Sequence, residues 1–201
     1  MDLAEYLKDI PKLHSWDNGK SWNTGGFEAK HLQTFYDLIV NNGCKSILET
    51  GAGNSTIAFL LTAPVSVISI CPDPDLFQRI AVFCGDAISR EPLTTLLERS
   101  EWVLPTLAKE KQVDFALIDG GHGMPTVFVD LFYINFMVRK GGFIALDDTQ
   151  LHSVAEAVAM LREQPQFEVQ TDLGKTVIFR KIADFKEFPD FGGIPYKRRS
   201  V

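Results

Sequence analysis

Ile47-Leu48-Glu49-Thr50-Gly51-Ala52-Gly53-Asn54-Ser55-Thr56 sets a short apolar run, an acid and two glycines directly ahead of a helical stretch. Ser46 to Leu48 reads as a strand and Ser55 to Thr62 as a helix, so Gly51 and Gly53 fall in the turn between them. Glycine at such a turn lets backbone approach a ligand, and the amino end of the next helix offers free N–H groups. A bare pair of glycines is equally compatible with a tight turn that binds nothing. A dinucleotide fingerprint would place a third glycine at Thr56 and an acid about 20 residues beyond Gly51. Position 71 is a cysteine, so an NAD-dependent dehydrogenase is the weakest enzyme reading.

Outward from this turn, apolar runs and helical stretches take turns. Phe27 to Val40 spaces Leu32, Phe35, Leu38 and Ile39 at helical intervals and is stopped by Asn41-Asn42-Gly43. After the turn come strand Val65 to Ile70, helix Asp73 to Arg90, strand Leu93 to Leu97, helix Trp102 to Lys109 and strand Val113 to Ile118. A strongly apolar helix follows from Pro125 to Val138, then a turn at Lys140-Gly141-Gly142, strand Phe143 to Leu146 and helix Leu151 to Arg162. Phe167 to Thr171 and Thr176 to Lys181, joined by Asp172-Leu173-Gly174-Lys175, read as a closing hairpin. Repeated βα units imply an α/β fold whose parallel sheet has helices on both faces. Ligands of such sheets bind beyond the carboxyl ends of the strands.

The chain has 201 residues, 45% hydrophobic and 23% charged, which suits one soluble domain and excludes disorder or coiled coil. No repeat or linker divides it, so 1–201 is read as a single domain: a substrate-side segment 1–26, a core 27–181 and a tail 182–201. A formal charge of −6 does not suit a nucleic-acid binder. No apolar run approaches the roughly 20 residues of a membrane span. The acidic opening Met1-Asp2-Leu3-Ala4-Glu5 is unlike a secretory signal, and Cys44, Cys71 and Cys84 form no CxxC pair, so a cytoplasmic location is expected.

The chemistry concentrates at two strand ends. Asp114-Phe115-Ala116-Leu117-Ile118 runs into Asp119-Gly120-Gly121-His122-Gly123, and Phe143-Ile144-Ala145-Leu146 runs into Asp147-Asp148-Thr149. Neighbouring parallel strands would bring Asp119 to Asp147 and Asp148, three carboxylates that repel unless a cation neutralises them. An all-oxygen set favours Mg²⁺ or Ca²⁺. The competing reading makes Asp147 or Asp148 a helix cap and Asp119 an acceptor for its own glycine turn. His14, His31 and His152 lack a comparable setting and are read as surface or packing residues.

The segment Glu49 to Thr56 resembles the first motif of the class I S-adenosylmethionine-dependent methyltransferases, and the resemblance extends over Phe27 to Lys181. It implies a Rossmann-like, seven-stranded, mostly parallel sheet ending in an antiparallel hairpin. It also implies that Glu49, Gly51, Gly53, Ser55, Thr56 and Asp119 contact the cofactor. Cys71 stands where members carry a ribose-binding acid; Asp73, two residues on, is either its substitute or a helix cap before Leu76. Arg99 stands where an acid often precedes Ser100, the adenine-side candidate, with Trp102 a weaker one. The acids at the two strand ends are similar to those of metal-dependent catechol and sugar O-methyltransferases, which makes Asp119, Asp147 and Asp148 the implied metal ligands. His122 takes the place of that group's general base. The implied activity is methyl transfer to an oxygen of a small molecule, walled by Trp16 to Phe27 and by Phe188, Phe191 and Tyr196. The tail is the segment expected to pack across a subunit boundary in a homo-oligomer. A metal-free methyltransferase and a regulatory protein that keeps the fold without catalysis are the alternatives.

Overall fold

A run such as Val113 to Ile118 can bury both its faces only in the interior of a sheet covered on both sides. The computed structural model describes residues 1–14 and 26–184 and places that run at the sheet's centre. In chain order, the elements up to the first glycine turn are α1 (Leu3–Tyr6), α2 (Ala29–Asn41) and β1 (Ser46–Thr50). Next come α3 (Asn54–Leu60), β2 (Ser66–Ile70), α4 (Pro74–Cys84), β3 (Leu93–Leu96) and α5 (Ser100–Glu110). The chain continues through β4 (Val113–Ile118), α6 (Thr126–Met137), β5 (Val138–Leu146), α7 (His152–Arg162), β6 (Phe167–Asp172) and β7 (Val177–Lys181).

The strands form one seven-stranded sheet in the order β3-β2-β1-β4-β5-β7-β6. All pairings from β3 through β5 are parallel, and β7 runs antiparallel to both β5 and β6. This is the Rossmann-like methyltransferase sheet with its terminal hairpin. The strand order reverses between β1 and β4, and a crevice opens at their carboxyl ends.

Successive residues of one strand face opposite ways. In β1, Ile47 joins a core under α2, α3 and α4, while Leu48 joins one under α5, α6 and α7. Phe35, Phe59 and Phe115 interlock in the first core at 5.5–6.1 Å between ring centroids. The second is aliphatic, with Leu131, Ile134 and Met137 of α6 against Ile144 and Leu146.

Element boundaries differ from expectation in physically legible places. α4 stops at Cys84 because Gly85 takes φ +46, instead of continuing to Arg90. Lys140-Gly141-Gly142 does not end the chain's extension before Phe143: β5 begins at Val138, and a bulge with Gly141 at φ +86 shifts the register against β4. α5 begins at Ser100, two residues before the expected start, and Trp102, the weaker adenine-side candidate, is exposed. Among the described residues no helix is long and apolar enough to cross a membrane. The expected substrate walls at residues 16–25 and at Phe188, Phe191 and Tyr196, like the tail proposed as a subunit contact, lie outside the described residues.

Candidate active site

The tips of four neighbouring strands are tied by backbone hydrogen bonds. Gly51 N–H donates to the Ile70 carbonyl at 2.8 Å, Asp119 N–H to Thr50 at 3.0 Å and Asp147 N–H to Ile118 at 3.1 Å. Asp119 and the 147/148 pair therefore emerge side by side next to the glycine turn. Gly51 sits at φ +96, and a β-carbon there would overlap the Asp119 carbonyl oxygen, so the two loops can approach this closely only with glycine.

Glu49 does not reach the crevice. It is fully buried, and its carboxylate accepts from the Ser55, Thr56 and Ser69 hydroxyls at 2.6, 2.5 and 2.5 Å. The Thr56 oxygen in turn accepts from Gly53 N–H at 2.9 Å. Burial lifts the Glu49 pKa to about 7 against the three hydroxyls that favour its charge. Glu49, Gly53, Ser55 and Thr56, expected as cofactor contacts, form the packed support that shapes the glycine turn.

The crevice is a cleft of about 750 Å³, within the range that holds a cofactor-sized ligand. Of the expected cofactor residues, Gly51, Cys71, Asp73, Ser100 and Asp119 line it. Ile70, Pro72 and Leu76 supply an apolar wall; Arg99 and Glu101, paired at 2.8 Å, lie beside Ser100. Asp73 is also a helix cap, its Oδ1 accepting from the N–H groups of Asp75 and Leu76, as one of its two readings had it. His14, expected to be surface or packing, lines the cleft too. No motif marks it because it comes from an irregular segment far away in sequence. His31 is buried against Phe27, as a packing residue, with neither ring nitrogen bonded among the described residues.

Behind Ser100 lies a carboxylate absent from the sequence reading. Asp130 of α6 is fully buried, and burial raises its pKa to about 6 although the Ser100 and Thr50 hydroxyls favour the charged form. Neither hydroxyl closes a bond of ordinary geometry with it. A single acid within an otherwise apolar helix is the signal that would have found it.

At the mouth, Asp119, His122 and Asp148 each present one donor atom, all within 4.8 Å of one another. His122 Nε2 lies 3.5 Å from Asp119 and Nδ1 3.7 Å from Asp148. The Asp119 carboxylate beside it, opposed by burial, raises the His122 pKa; burial raises that of Asp119. Asp148 holds φ +58, a left-handed conformation uncommon outside glycine. Asp147, expected as a third ligand, points elsewhere: its buried carboxylate accepts from the Thr176 hydroxyl and from Lys175 Nζ at 3.0 Å. Lys175 lies in the β6–β7 turn, and Asp147 and Asp148 raise its pKa against the opposing effect of burial.

With this geometry in place, the chain was compared with known proteins. Residues 48–149 match a family model described as a methyltransferase domain. The chain belongs to that family. It is a methyltransferase with the class I sheet. No curated protein sequence matches it. Among solved structures it is similar to the O-methyltransferase TomG of Streptomyces achromogenes, involved in tomaymycin synthesis and solved with SAM. The TM-score is 0.67 at 16% identity, over 79% of this chain and 82% of that one. A methyltransferase of Podospora anserina bound to SAH gives 0.67 at 14%, over 90% and 88%. One from Geobacter sulfurreducens gives 0.68 at 12%, over 90% and 88%. At such identities the likeness is one of fold. In this methyltransferase, Gly51, Ser100 and Asp119 share one cleft.

Proposed function

We propose that this methyltransferase moves a methyl group from S-adenosylmethionine to a hydroxyl oxygen of a small molecule, with divalent-metal assistance at the cleft mouth. The observation that carries the reading is the convergence of Asp119, His122 and Asp148 beside a cleft floored by the glycine turn. The cleft fits the cofactor by size and by its mixed lining: Ile70, Pro72 and Leu76 suit an adenine face, and Ser100 and Glu101 suit its polar edge. S-adenosylmethionine, when bound, supplies an electrophilic sulfonium methyl, so the protein's main work is alignment.

A cation fits the mouth with a changed donor set. Asp119 and Asp148 supply carboxylate oxygens and His122 a nitrogen; Asp147 is occupied by Lys175 and Thr176 and acts instead to hold the strand tip. Such a cation lowers the pKa of an alcohol oxygen. Carboxylates suit Mg²⁺ or Ca²⁺.

A second reading dispenses with metal. His122 lies between two carboxylates and Lys175 beside two, so Lys175 supplies the mouth with a cation of the chain's own and leaves His122 free to act as a base. Here His122 takes the hydroxyl proton onto a ring nitrogen, and Asp119 stabilises the imidazolium so formed. Three buried thiols without disulfide partners support a reducing, cytoplasmic setting.

Calorimetry with S-adenosylhomocysteine tests the core of the proposal; no heat and no thermal shift would overturn it. For a panel of hydroxylated small molecules, methylation should fall about 10²–10⁴-fold in His122→Ala. Loss of activity in chelator with recovery on added Mg²⁺ supports the metal reading. Full activity in chelator leaves the metal-free one.

A further inference from the structure

The amino-terminal segment reaches the cleft by a route that no motif marks. The Tyr6 hydroxyl donates to the Asn54 carbonyl at 3.0 Å, where α3 begins. Leu13 is buried, and the Arg79 guanidinium of α4 donates to its carbonyl at 2.7 Å. These two anchors stretch the segment across the glycine turn, and His14 follows the second. A β-carbon at position 53 would lie 2.5 Å from His14 Nε2, so glycine there makes room for the ring. The ring lies against the glycine turn and forms part of the cleft wall, as do Cys71 and Asp73.

Burial, only partly opposed by Asp73, keeps the His14 pKa below the ordinary imidazole value, so the ring is neutral near pH 7. A neutral imidazole has one N–H and one acceptor nitrogen. Its unprotonated nitrogen is an acceptor carried by the cleft wall. Asp73 supplies another acceptor at the same end of the cleft. Cys71, also in the wall, offers only a thiol that burial keeps protonated. Two acceptors carried by separate elements match a ligand with two adjacent O–H donors.

We propose that His14 is a cofactor-binding residue that, together with Asp73, takes the vicinal hydroxyls of the ribose. The inference rests on the S-adenosylmethionine reading above. It assigns to an amino-terminal histidine a task for which the tip of β2 has no carboxylate. It also gives the anchors at Tyr6 and Leu13 a purpose, since they deliver the ring already oriented.

The test is calorimetric titration of the full chain with S-adenosylhomocysteine and with its 2′,3′-dideoxy analogue. His14→Ala removes the ring; His14→Phe keeps a ring over Gly53 and removes both nitrogens. Both variants should melt within a few degrees of the parent, bind S-adenosylhomocysteine about five- to tenfold more weakly, and bind the dideoxy analogue as the parent does. Unchanged affinity in His14→Phe would reduce the ring to packing and overturn the proposal, as would an equal loss on both ligands. If the parent itself gives no heat with S-adenosylhomocysteine, the cofactor reading fails first and this inference with it. Parental binding with unaffected variants sinks the inference alone.

Discussion

Glu49 shows how one buried side chain shapes the site without entering it. Its carboxylate holds hydroxyls from α3 and β2, and through Thr56 the backbone of Gly53. Glu49→Ala would leave three buried hydroxyls unpaired and should cost about 3 kcal/mol in urea unfolding. Because its folded pKa, about 7, lies above the ordinary carboxyl value of 4.5, its contribution is fully present below the lower value. That contribution is lost as pH rises through the upper one. Glu49→Gln removes this titration, so its stability relative to the parent should improve between pH 5 and pH 7.5; a constant difference would show that Glu49 does not titrate there. The acid and the glycines were legible because strand–turn–helix chemistry is local. Which way Glu49 points was not, because strand alternation assigns it a face only once the sheet's partners are known. Just past the end of β5, where Asp148 turns left-handed, Asp147 and Asp148 are likewise two adjacent letters that serve different neighbours.

At the scale of elements, Asp114 ties three strands together at the end of the sheet opposite the cleft. It accepts from Lys45 N–H at 2.6 Å, from Ser46 N–H at 2.9 Å and from the Arg139 guanidinium, joining the starts of β1, β4 and β5. Burial works against its charge, but these donors outweigh it and hold the pKa below the ordinary carboxylate value. A depressed pKa contributes stability above the unfolded value that is lost as pH falls through the folded one. Asp114→Asn should therefore lower stability by about 2 kcal/mol at pH 7, with the deficit shrinking toward pH 3. A deficit independent of pH would assign the effect to geometry rather than charge. Strands and helices were readable here because each apolar run is continuous and each helix has its own period. The early start of β5 was not, since Gly141-Gly142 has the composition of a turn and only pairing with β4 makes the stretch extended.

For the whole molecule, the decisive placement is that of the last hairpin against the fifth strand. β7 pairs antiparallel with β5, Leu146 opposite Val177, which brings the β6–β7 turn back to the strand tips. That return delivers Lys175 to Asp147 across 28 residues of chain, and no local pattern announces the pair. Asp147 is about 1% exposed while the lysine is about one-third exposed. Removing the lysine strands a buried charge, whereas removing the charge frees a side chain that solvent can reach. Lys175→Met should thus cost about 2–3 kcal/mol, Asp147→Asn less, and the double variant less than the sum of the two. A double-mutant cycle by chemical denaturation reads this coupling directly. Strict additivity would mean that Thr176 alone satisfies Asp147. The second readout is the site: Lys175 Nζ also lies 4.0 Å from Asp148. If the hairpin's cation sets the charge of the cleft mouth, Lys175→Met should tighten Mg²⁺ binding in calorimetry even as it weakens the fold. A fall in stability without that gain would confine Lys175 to holding the strand tip.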